Sequence, residues 1–241
     1  MASLEGKIIA VTGAASGMGL CISQILASRG ATVSLGDINQ KGLESAVATL
    51  GGNGKHITTV VDVTKSVSVD AWIEKTVKEL GALHGAVNFA GILKADTLIK
   101  DESDESWDRM MNINARGIFF CIRAQLKHIQ KGGSIVSAAS VNGFRACPMV
   151  GSYIASKHAV VGLTKAAAQE NPDVRINCVA PGAVKTPMQD ATLDLDSEIA
   201  AQVQKRFAEP KEIGNVVAFL LSDEASFVTG AAWSVDGGWN T

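Results

Sequence analysis

The sequence predicts an α/β fold, in which helices cover both faces of one doubly wound parallel sheet. Three observations indicate this fold: the chain has 241 residues, 46% of them are hydrophobic, and short apolar runs alternate with helical patterns along it. Small Gly and Ala residues stand at the joins between these segments. A chain of this length can bury a full core, and no linker, internal repeat or low-complexity tract divides it. We therefore expect a single domain over residues 1–241.

The first elements follow from their hydrophobic patterns. An apolar strand is predicted over Lys7–Val11, and apolar residues at helical spacing then predict a helix that ends at Arg29-Gly30. Later elements are predicted as strands over Thr32–Asp37, Ile57–Val61 and Gly85–Val87, and as a long helix over Glu105–Gln130.

Composition excludes several classes of function. The formal net charge is -2 and no basic cluster is present, so neither nucleic acid nor an anionic membrane is an expected partner. The start lacks an apolar signal core and no stretch is long enough to span a bilayer, which favours a cytoplasmic protein. Widely spaced cysteines without a CxxC pair predict reduced thiols and no metal site; they are Cys21, Cys121, Cys147 and Cys178.

A glycine-rich turn joins the first strand to the first helix. Glycines let a phosphate approach the backbone, and the free N–H groups and the dipole of a helix attract its charge. This placement between strand and helix predicts a dinucleotide site. The residues that we expect to bind the pyrophosphate are Gly13, Ser16, Gly17, Met18 and Gly19.

Asp37 ends the second strand about 20 residues after this turn, where a carboxylate can hydrogen-bond the adenosine ribose. The carboxylate also repels a 2′-phosphate, and the next residue is the apolar Ile38. No Lys or Arg stands between Gly13 and Gly19 to neutralise such a phosphate. We therefore expect NAD(H) to be preferred over NADP(H). The alternative is that Asp37 caps the following helix.

Tyr153 and Lys157 are four residues apart, a spacing that places both on one face of a helix. A neighbouring positive charge favours the phenolate form of a phenol and so makes proton transfer near neutral pH accessible. Taken alone, the pair is equally consistent with a half-buried Tyr beside a solvated Lys. The glycine turn and Asp37 favour the catalytic interpretation.

Together, these motifs resemble the short-chain dehydrogenase/reductase family over essentially the whole chain. Asn88-Phe89-Ala90-Gly91 is similar to the family's Asn-Asn-Ala-Gly segment, with Phe89 in place of the second Asn. The segment that ends at Ser140 resembles the strand that carries the catalytic serine, and Asn114 matches the Asn that kinks a helix. By this register Ser137 and Ser156 have no catalytic role.

The resemblance implies a Rossmann fold and hydride transfer with a nicotinamide cofactor. Tyr153 would exchange a proton with the substrate oxygen, supported by Lys157, and Ser140 would polarise that oxygen. Asn114 would hold a helix kink or a water, and a substrate lid is expected at about residues 187–207. Further cofactor contacts are implied for Asp62, Val63, Asn88, Ala90, Gly91, Tyr153, Lys157, Pro181, Gly182, Val184 and Thr186.

We expect a short-chain alcohol dehydrogenase or ketoreductase that acts on a secondary alcohol or ketone of a largely apolar small molecule, with secondary metabolism as its expected setting. Apolar residues such as Phe144 and Met149 after Ser140, and Met188 in the lid, favour an apolar cleft. One alternative is an NADPH-dependent 3-oxoacyl-type reductase. The other is a non-redox or NAD-sensing member of the fold. The family also implies a homotetramer or homodimer.

Overall fold

Seven parallel strands form one sheet among the described residues. The structure is a computed structural model that describes residues 3–52, 54–94, 97–188, 199–200 and 202–240. The strands are β1 (Ile8–Thr12), β2 (Thr32–Asp37), β3 (Ile57–Val60), β4 (Gly85–Asn88), β5 (Ser134–Ala138), β6 (Arg175–Pro181) and β7 (Ala232–Val235). Their order is β3-β2-β1-β4-β5-β6-β7, which confirms the predicted fold. The direction of winding changes between β1 and β4, where open sheets leave a crevice at the carboxyl ends of the strands.

Helices pack on both faces of this sheet. They are α1 (Gly17–Ser28), α2 (Gln40–Ala48), α3 (Ser66–Leu80), α4 (Asp104–Met111), α5 (Gly117–Leu126), α6 (Gly151–Glu170) and α7 (Pro210–Leu221). Side chains alternate between the faces along each strand. Ile9 and Val11 of β1 pack with α1, α2 and α7, whereas Ala10 packs with α3 and α5. The central strands β1, β4 and β5 are thus buried on both sides, as their near-continuous apolar runs predict, whereas the edge strands β3 and β7 are partly exposed.

The long helix predicted over Glu105–Gln130 is wrong in two respects. A π-helical turn over Asn112–Arg116 separates α4 from α5, and α5 ends at Leu126. The early end has a tertiary cause, because the Gln130 N–H donates to the Leu83 carbonyl oxygen at 2.9 Å and draws the chain back to the sheet. The other boundaries lie within two residues of the predicted ones; β2 has the predicted bounds, and β3 ends at Val60.

His84 joins the start of β4 to the start of β1. The imidazole Nδ1 of His84 accepts the Ile8 backbone N–H at 3.0 Å, and the backbone N–H of His84 donates to the Ile8 carbonyl oxygen at 2.9 Å. Burial, with a smaller contribution from Lys7, lowers the pKa of His84 below its usual value. The neutral imidazole is therefore the form that this pairing stabilises.

Because the pKa of His84 is lower in the folded than in the unfolded chain, its contribution to stability is complete above about pH 6.5 and is lost as the pH falls through the folded-state value. His84→Leu should reduce the free energy of unfolding at pH 7.5 by about 1 kcal/mol, because the Ile8 N–H loses its acceptor.

Urea unfolding at several pH values checks this. The variant should lose less stability than the wild type between pH 7 and pH 5, because it lacks the imidazole whose pKa is lowered by folding. Parallel curves for His84→Leu and the wild type would contradict the assignment.

Candidate active site

The glycine-rich turn between β1 and α1 lies at the crevice of the sheet. Gly13 has φ +70°, and a Cβ at this position would lie 2.8 Å from the Phe89 carbonyl oxygen. A Cβ at Gly19 would collide with the Gly13 carbonyl. Within the described residues, the Ser16 side chain makes no capping hydrogen bond to α1. The first N–H groups of α1 are therefore available to an anion, which fits a dinucleotide pyrophosphate.

Asp37 is fastened to this turn by its carboxylate. Oδ2 accepts the Ala15 N–H at 3.1 Å, and Oδ1 accepts the Asn39 N–H at 2.9 Å. The side chain that caps α2 is that of Asn39, which accepts the Gly42 N–H at 3.0 Å. The structure thus decides against Asp37 as a helix cap and places its carboxylate at the end of β2, beside the glycine turn.

Two adjoining cavities contain most of the predicted site residues. A cleft of about 520 Å³ is lined by Gly13, Ser16, Gly17, Met18, Gly19, Asp37, Ile38, Asp62, Val63, Ala90, Gly91 and Thr186. A smaller cavity of about 70 Å³ is lined by Met18, Gly91, Ser140, Tyr153, Lys157, Pro181, Gly182, Val184 and Thr186. The residues shared by the two linings make the cavities neighbours. Of the predicted site residues, Asn88 and Asn114 line neither cavity.

Arg109 also lines the larger cleft, although sequence reasoning did not select it. It is the only Lys or Arg among the described residues of that lining. Arg109 precedes Ile113 by four residues, and both line the cleft, so the helical spacing was the signal that could have found it. Its guanidinium adds positive charge to a cleft that also holds the carboxylates of Asp37 and Asp62.

The Asp62 carboxylate is held within its own turn. Oδ1 accepts the Thr64 hydroxyl at 2.6 Å and the Thr64 N–H at 3.0 Å, and the Lys65 ammonium lies 3.1 Å from Oδ2. The hydrogen bond from the Thr64 hydroxyl is the main cause that lowers the pKa of Asp62. The carboxylate is therefore ionised at neutral pH, at the rim of the cleft.

Asn88 supports the cleft from beneath. It is fully buried and exchanges two hydrogen bonds with Gln125, at 2.7 and 3.1 Å. The Asn88 amide also donates to the Ser137 hydroxyl at 3.3 Å. The backbone of the next residue, Phe89, donates to the Thr12 hydroxyl at 3.1 Å. The segment is thus fixed to β1, β5 and α5 despite Phe89. Asn88 does not line the cleft, and it supports the cleft through these buried hydrogen bonds.

Tyr153 and Lys157 lie side by side on α6, as their spacing predicts. The Lys157 ammonium is 5.5 Å from the centre of the Tyr153 ring and donates to the Ala138 carbonyl oxygen at 2.8 Å. Lys157 is 4% exposed, and burial lowers its pKa to about 8. The alternative of a solvated Lys is therefore wrong, because this cation is held inside the protein beside the phenol.

Ser140 enters the small cavity from the other side. The strand β5 ends at Ala138, and the Ser140 hydroxyl oxygen accepts the Asn142 N–H at 3.2 Å. This bond uses an acceptor site of the hydroxyl, so its own proton remains available for a substrate oxygen. The following loop runs close to α6, where a Cβ at Gly143 would lie 3.1 Å from the Lys157 carbonyl oxygen.

Asn114 is buried at the π-helical turn, which confirms the helix irregularity expected there. Its amide exchanges two 2.8 Å hydrogen bonds with the backbone of Ile92 and donates to the Ser156 hydroxyl at 3.3 Å. Ser156 in turn donates to the Tyr153 carbonyl oxygen at 2.7 Å. Asn114 therefore positions the elements around the cavity, and Ser156, for which the register gave no catalytic role, connects it to the Tyr153 backbone.

The far wall of the crevice is formed by the chain after β6. A Cβ at Gly17 would lie 3.6 Å from the Thr186 Cβ, so Thr186 faces the glycine turn. A backbone bridge joins Val184 to Ala208 at the two ends of the predicted lid. Most of that lid, residues 189–198 and 201, lies outside the described residues.

The described residues lack two other kinds of feature. No group of three or more His, Cys, Asp or Glu side chains is placed to hold a metal ion there. No helix in the same ranges is long and apolar enough to cross a membrane.

Comparisons with known proteins agree with this architecture. A family model described as Enoyl-(Acyl carrier protein) reductase matches residues 13–240. The short-chain dehydrogenase/reductase ABA4 of Pyricularia oryzae is 40% identical, over 98% of this chain and 93% of its own. A 2,5-dichloro-2,5-cyclohexadiene-1,4-diol dehydrogenase of Sphingobium indicum is 39% identical, over 99% of each chain. The crystal structure of a levodione reductase superposes with a TM-score of 0.95 at 35% identity, over 98% of each chain. This chain belongs to the short-chain dehydrogenase/reductase family.

Proposed function

We propose that this protein is an NAD(H)-dependent oxidoreductase that interconverts a secondary alcohol and a ketone on a largely apolar small molecule. The observation that carries the proposal is that Ser140, Tyr153 and Lys157 line one small cavity that adjoins the dinucleotide cleft. The relatives are named as enzymes that oxidise alcohols or reduce ketones, and members of the family bind nicotinamide cofactors. The cofactor preference, the substrate class and a place in secondary metabolism are parts of the proposal.

In the direction of oxidation, Tyr153 takes the hydroxyl proton of the substrate as the hydride leaves the adjacent carbon. A nicotinamide held in the cleft would supply the acceptor for that hydride. The Lys157 ammonium stabilises the phenolate that starts the reaction, and Ser140 donates a hydrogen bond to the substrate oxygen. Reduction reverses each of these steps, so that Tyr153 gives its proton to the ketone oxygen.

The Asp37 carboxylate supports a preference for NAD(H). It is held at the end of β2 by the N–H groups of Ala15 and Asn39, and the adjacent Ile38 is 70% exposed and uncharged. A 2′-phosphate placed beside this carboxylate would meet a like charge at close range. The basic residue of the cleft lining, Arg109, lies on α4, a different element from the end of β2 that carries Asp37.

The lining of the small cavity supports an apolar substrate. Besides the polar residues Ser140, Tyr153, Lys157 and Thr186, it includes Phe89, Ile92, Leu93, Val184 and Met188. Such a cavity binds a hydrophobic skeleton while the few polar groups orient one oxygen atom. The diol dehydrogenase among the relatives acts, by its name, on hydroxyl groups of a ring, and this supports ring alcohols and ketones as the first compounds to test.

The experiment that tests the proposal is a screen of cyclic and linear secondary alcohols and ketones with NAD(H) and NADP(H), followed by absorbance of the reduced cofactor. An acyl-thioester arm with NADPH tests the 3-oxoacyl-type alternative. Product should form in a one-to-one ratio with cofactor consumed. Product without net cofactor turnover would indicate a redox-neutral enzyme, and cofactor binding without any product would indicate a sensor.

Tyr153→Phe should lower kcat by about 10²- to 10⁴-fold, because it removes the proposed proton donor, whereas NADH should still bind. Tyr153 is the only tyrosine of the chain, so the variant lacks any other phenol to replace it. Steady-state kinetics and NADH fluorescence titration check the two results. Near-normal turnover would remove Tyr153 from this role.

Asp37→Ala combined with Ile38→Arg should raise the ratio of kcat/KM for NADP to that for NAD by at least about tenfold, a change of ~1.4 kcal/mol. The matched control is Asp62→Asn, which neutralises the other carboxylate of the cleft and should leave the ratio within about twofold of the wild type. An unchanged ratio in the double variant would refute the role of Asp37.

A homotetramer is part of the proposal. The outer side of α5 supports it, because Phe119 is 41% exposed and the Arg123 guanidinium lies 5.2 Å from the centre of its ring. At the edge of the sheet, Trp233 of β7 is 36% exposed. Two such surfaces are suited to a closed assembly of identical subunits. Light scattering at micromolar protein should give four times the chain mass, and a monomeric mass would contradict it.

A further inference from the structure

The first turn of α6 carries Tyr153 but contains few stabilising groups of its own. The capping residue Val150 offers no side-chain hydrogen bond, and the turn contains no acidic residue. The first N–H groups of a helix have no partner within it, and a negative charge near them is stabilising. What fixes this turn must therefore come from another part of the chain.

A neighbouring segment, residues 97–102, lies directly against this turn. Thr97 pairs with Val150 in a parallel bridge, and its N–H donates to the Met149 carbonyl oxygen at 3.3 Å. A Cβ at Gly151 would lie 2.7 Å from Ile99 Cγ1, so the absence of a side chain at Gly151 lets Ile99 pack this closely. The segment thus contacts the chain on both sides of the point where α6 begins.

Glu102 provides the polar part of this contact. Its Oε1 accepts the Ser152 hydroxyl at 2.6 Å and the Ser106 hydroxyl at 3.2 Å. Ser152 is 3% exposed and directly precedes Tyr153. The carboxylate therefore joins the first turn of α4 to the first turn of α6 and supplies the negative charge that α6 lacks.

The backbone before α6 indicates why such a contact is needed. Met149 has φ +71°, and it is the only non-glycine residue with positive φ in the described ranges. A side chain in this region of backbone space is strained and persists only where surrounding contacts hold it. The Thr97 N–H donates to the carbonyl oxygen of Met149 itself, and the hydrogen bond from Ser152 to Glu102 holds the chain that follows it.

Lys157, by contrast, is fixed independently of this segment. It is one turn further along α6 and is tied to the Ala138 carbonyl oxygen, while Asn114 and Ser156 secure the turn between. Ser156 also holds the Tyr153 carbonyl oxygen, so Tyr153 is fixed from its C-terminal side by Asn114 and Ser156 and from its N-terminal side by Ser152 and Glu102. Loss of the Glu102 contact should therefore loosen the N-terminal side of Tyr153 and leave the ammonium in place.

From these contacts we infer that Glu102 is a positioning residue that acts through the Ser152 hydroxyl to fix the first turn of α6 and, with it, the Tyr153 hydroxyl in the substrate cavity. The inference rests on the proposed role of Tyr153 in proton transfer. A displacement of reacting groups by about 1 Å can cost about 10²-fold in rate, so a contact outside the cavity can govern kcat.

The test compares Glu102→Ala, Ser152→Ala, the double variant and Glu102→Gln. The two alanine variants should each lower kcat by about ten- to a hundredfold and change the Kd for NADH by less than about twofold, because the dinucleotide cleft is untouched. The double variant should be no worse than either single one, because both remove the same hydrogen bond. Glu102→Gln should recover most of the activity, since its amide oxygen can accept the Ser152 hydroxyl.

The matched control is Asp101→Ala, which removes an exposed carboxylate of the same segment and should leave kcat unchanged. Unchanged kcat in Glu102→Ala, additive losses in the double variant, or an equal loss of NADH affinity would overturn the inference. If Glu102→Ala does not fold, Ser152→Ala and Glu102→Gln carry the same comparison.

A second measurement does not depend on turnover. Because Tyr153 is the only tyrosine, fluorotyrosine labelling gives one fluorine resonance that reports on this ring alone. The resonance should broaden or split in Glu102→Ala and Ser152→Ala and remain as in the wild type in Asp101→Ala. Failure of the proposed function would appear as absent turnover with this spectral response intact, whereas an unaltered resonance in both alanine variants would refute the positioning role itself.

Discussion

The hydrogen bond from the Lys157 ammonium to the Ala138 carbonyl oxygen joins α6 to the end of β5. It sets a buried cation 5.5 Å from the Tyr153 ring, next to the loop that carries Ser140. Burial lowers the pKa of Lys157 to about 8, so the protein holds this charge at a cost in solvation. Residues from β5 and α6 meet in one cavity because this contact fixes where the helix lies against the sheet.

The remaining contacts hold the chain after β4 in a fixed place beside that cavity. The Thr12 hydroxyl oxygen accepts the Phe89 N–H. The Asn114 amide accepts the Ile92 N–H and donates to the Ile92 carbonyl oxygen. Asn88 and Gln125 join β4 to α5 below the surface. All of these side chains are polar and inside the protein, where a half-satisfied group would be costly. Their mutual pairing therefore fixes the position of the segment after β4, which lines both cavities.

Sequence reasoning succeeded where the chemistry is local. The glycine turn, the acid at the end of β2 and the Tyr153–Lys157 spacing each follow from a few consecutive residues and the geometry of one strand or helix. It failed where partners are distant in sequence. Arg109 reaches the cleft from α4, Ser156 joins Asn114 across 42 residues, and Ser152 meets Glu102 across 50. Ser and Glu residues are common on protein surfaces, so their presence in the sequence did not indicate which of them would meet a partner inside the protein.

The sequence by itself determined the parallel sheet, the glycine turn and the face of α6 that carries the phenol and the cation, because side-chain period and backbone sterics act over a few residues. Only the tertiary structure decided that Asn39 rather than Asp37 caps α2, that the long helix contains a π-helical turn, and that Asn88 and Asn114 support the crevice from outside its lining. These outcomes depend on which polar groups meet when separate strands and helices pack. A buried hydrogen-bonding group takes the partner that packing brings to it, and no local pattern specifies that partner.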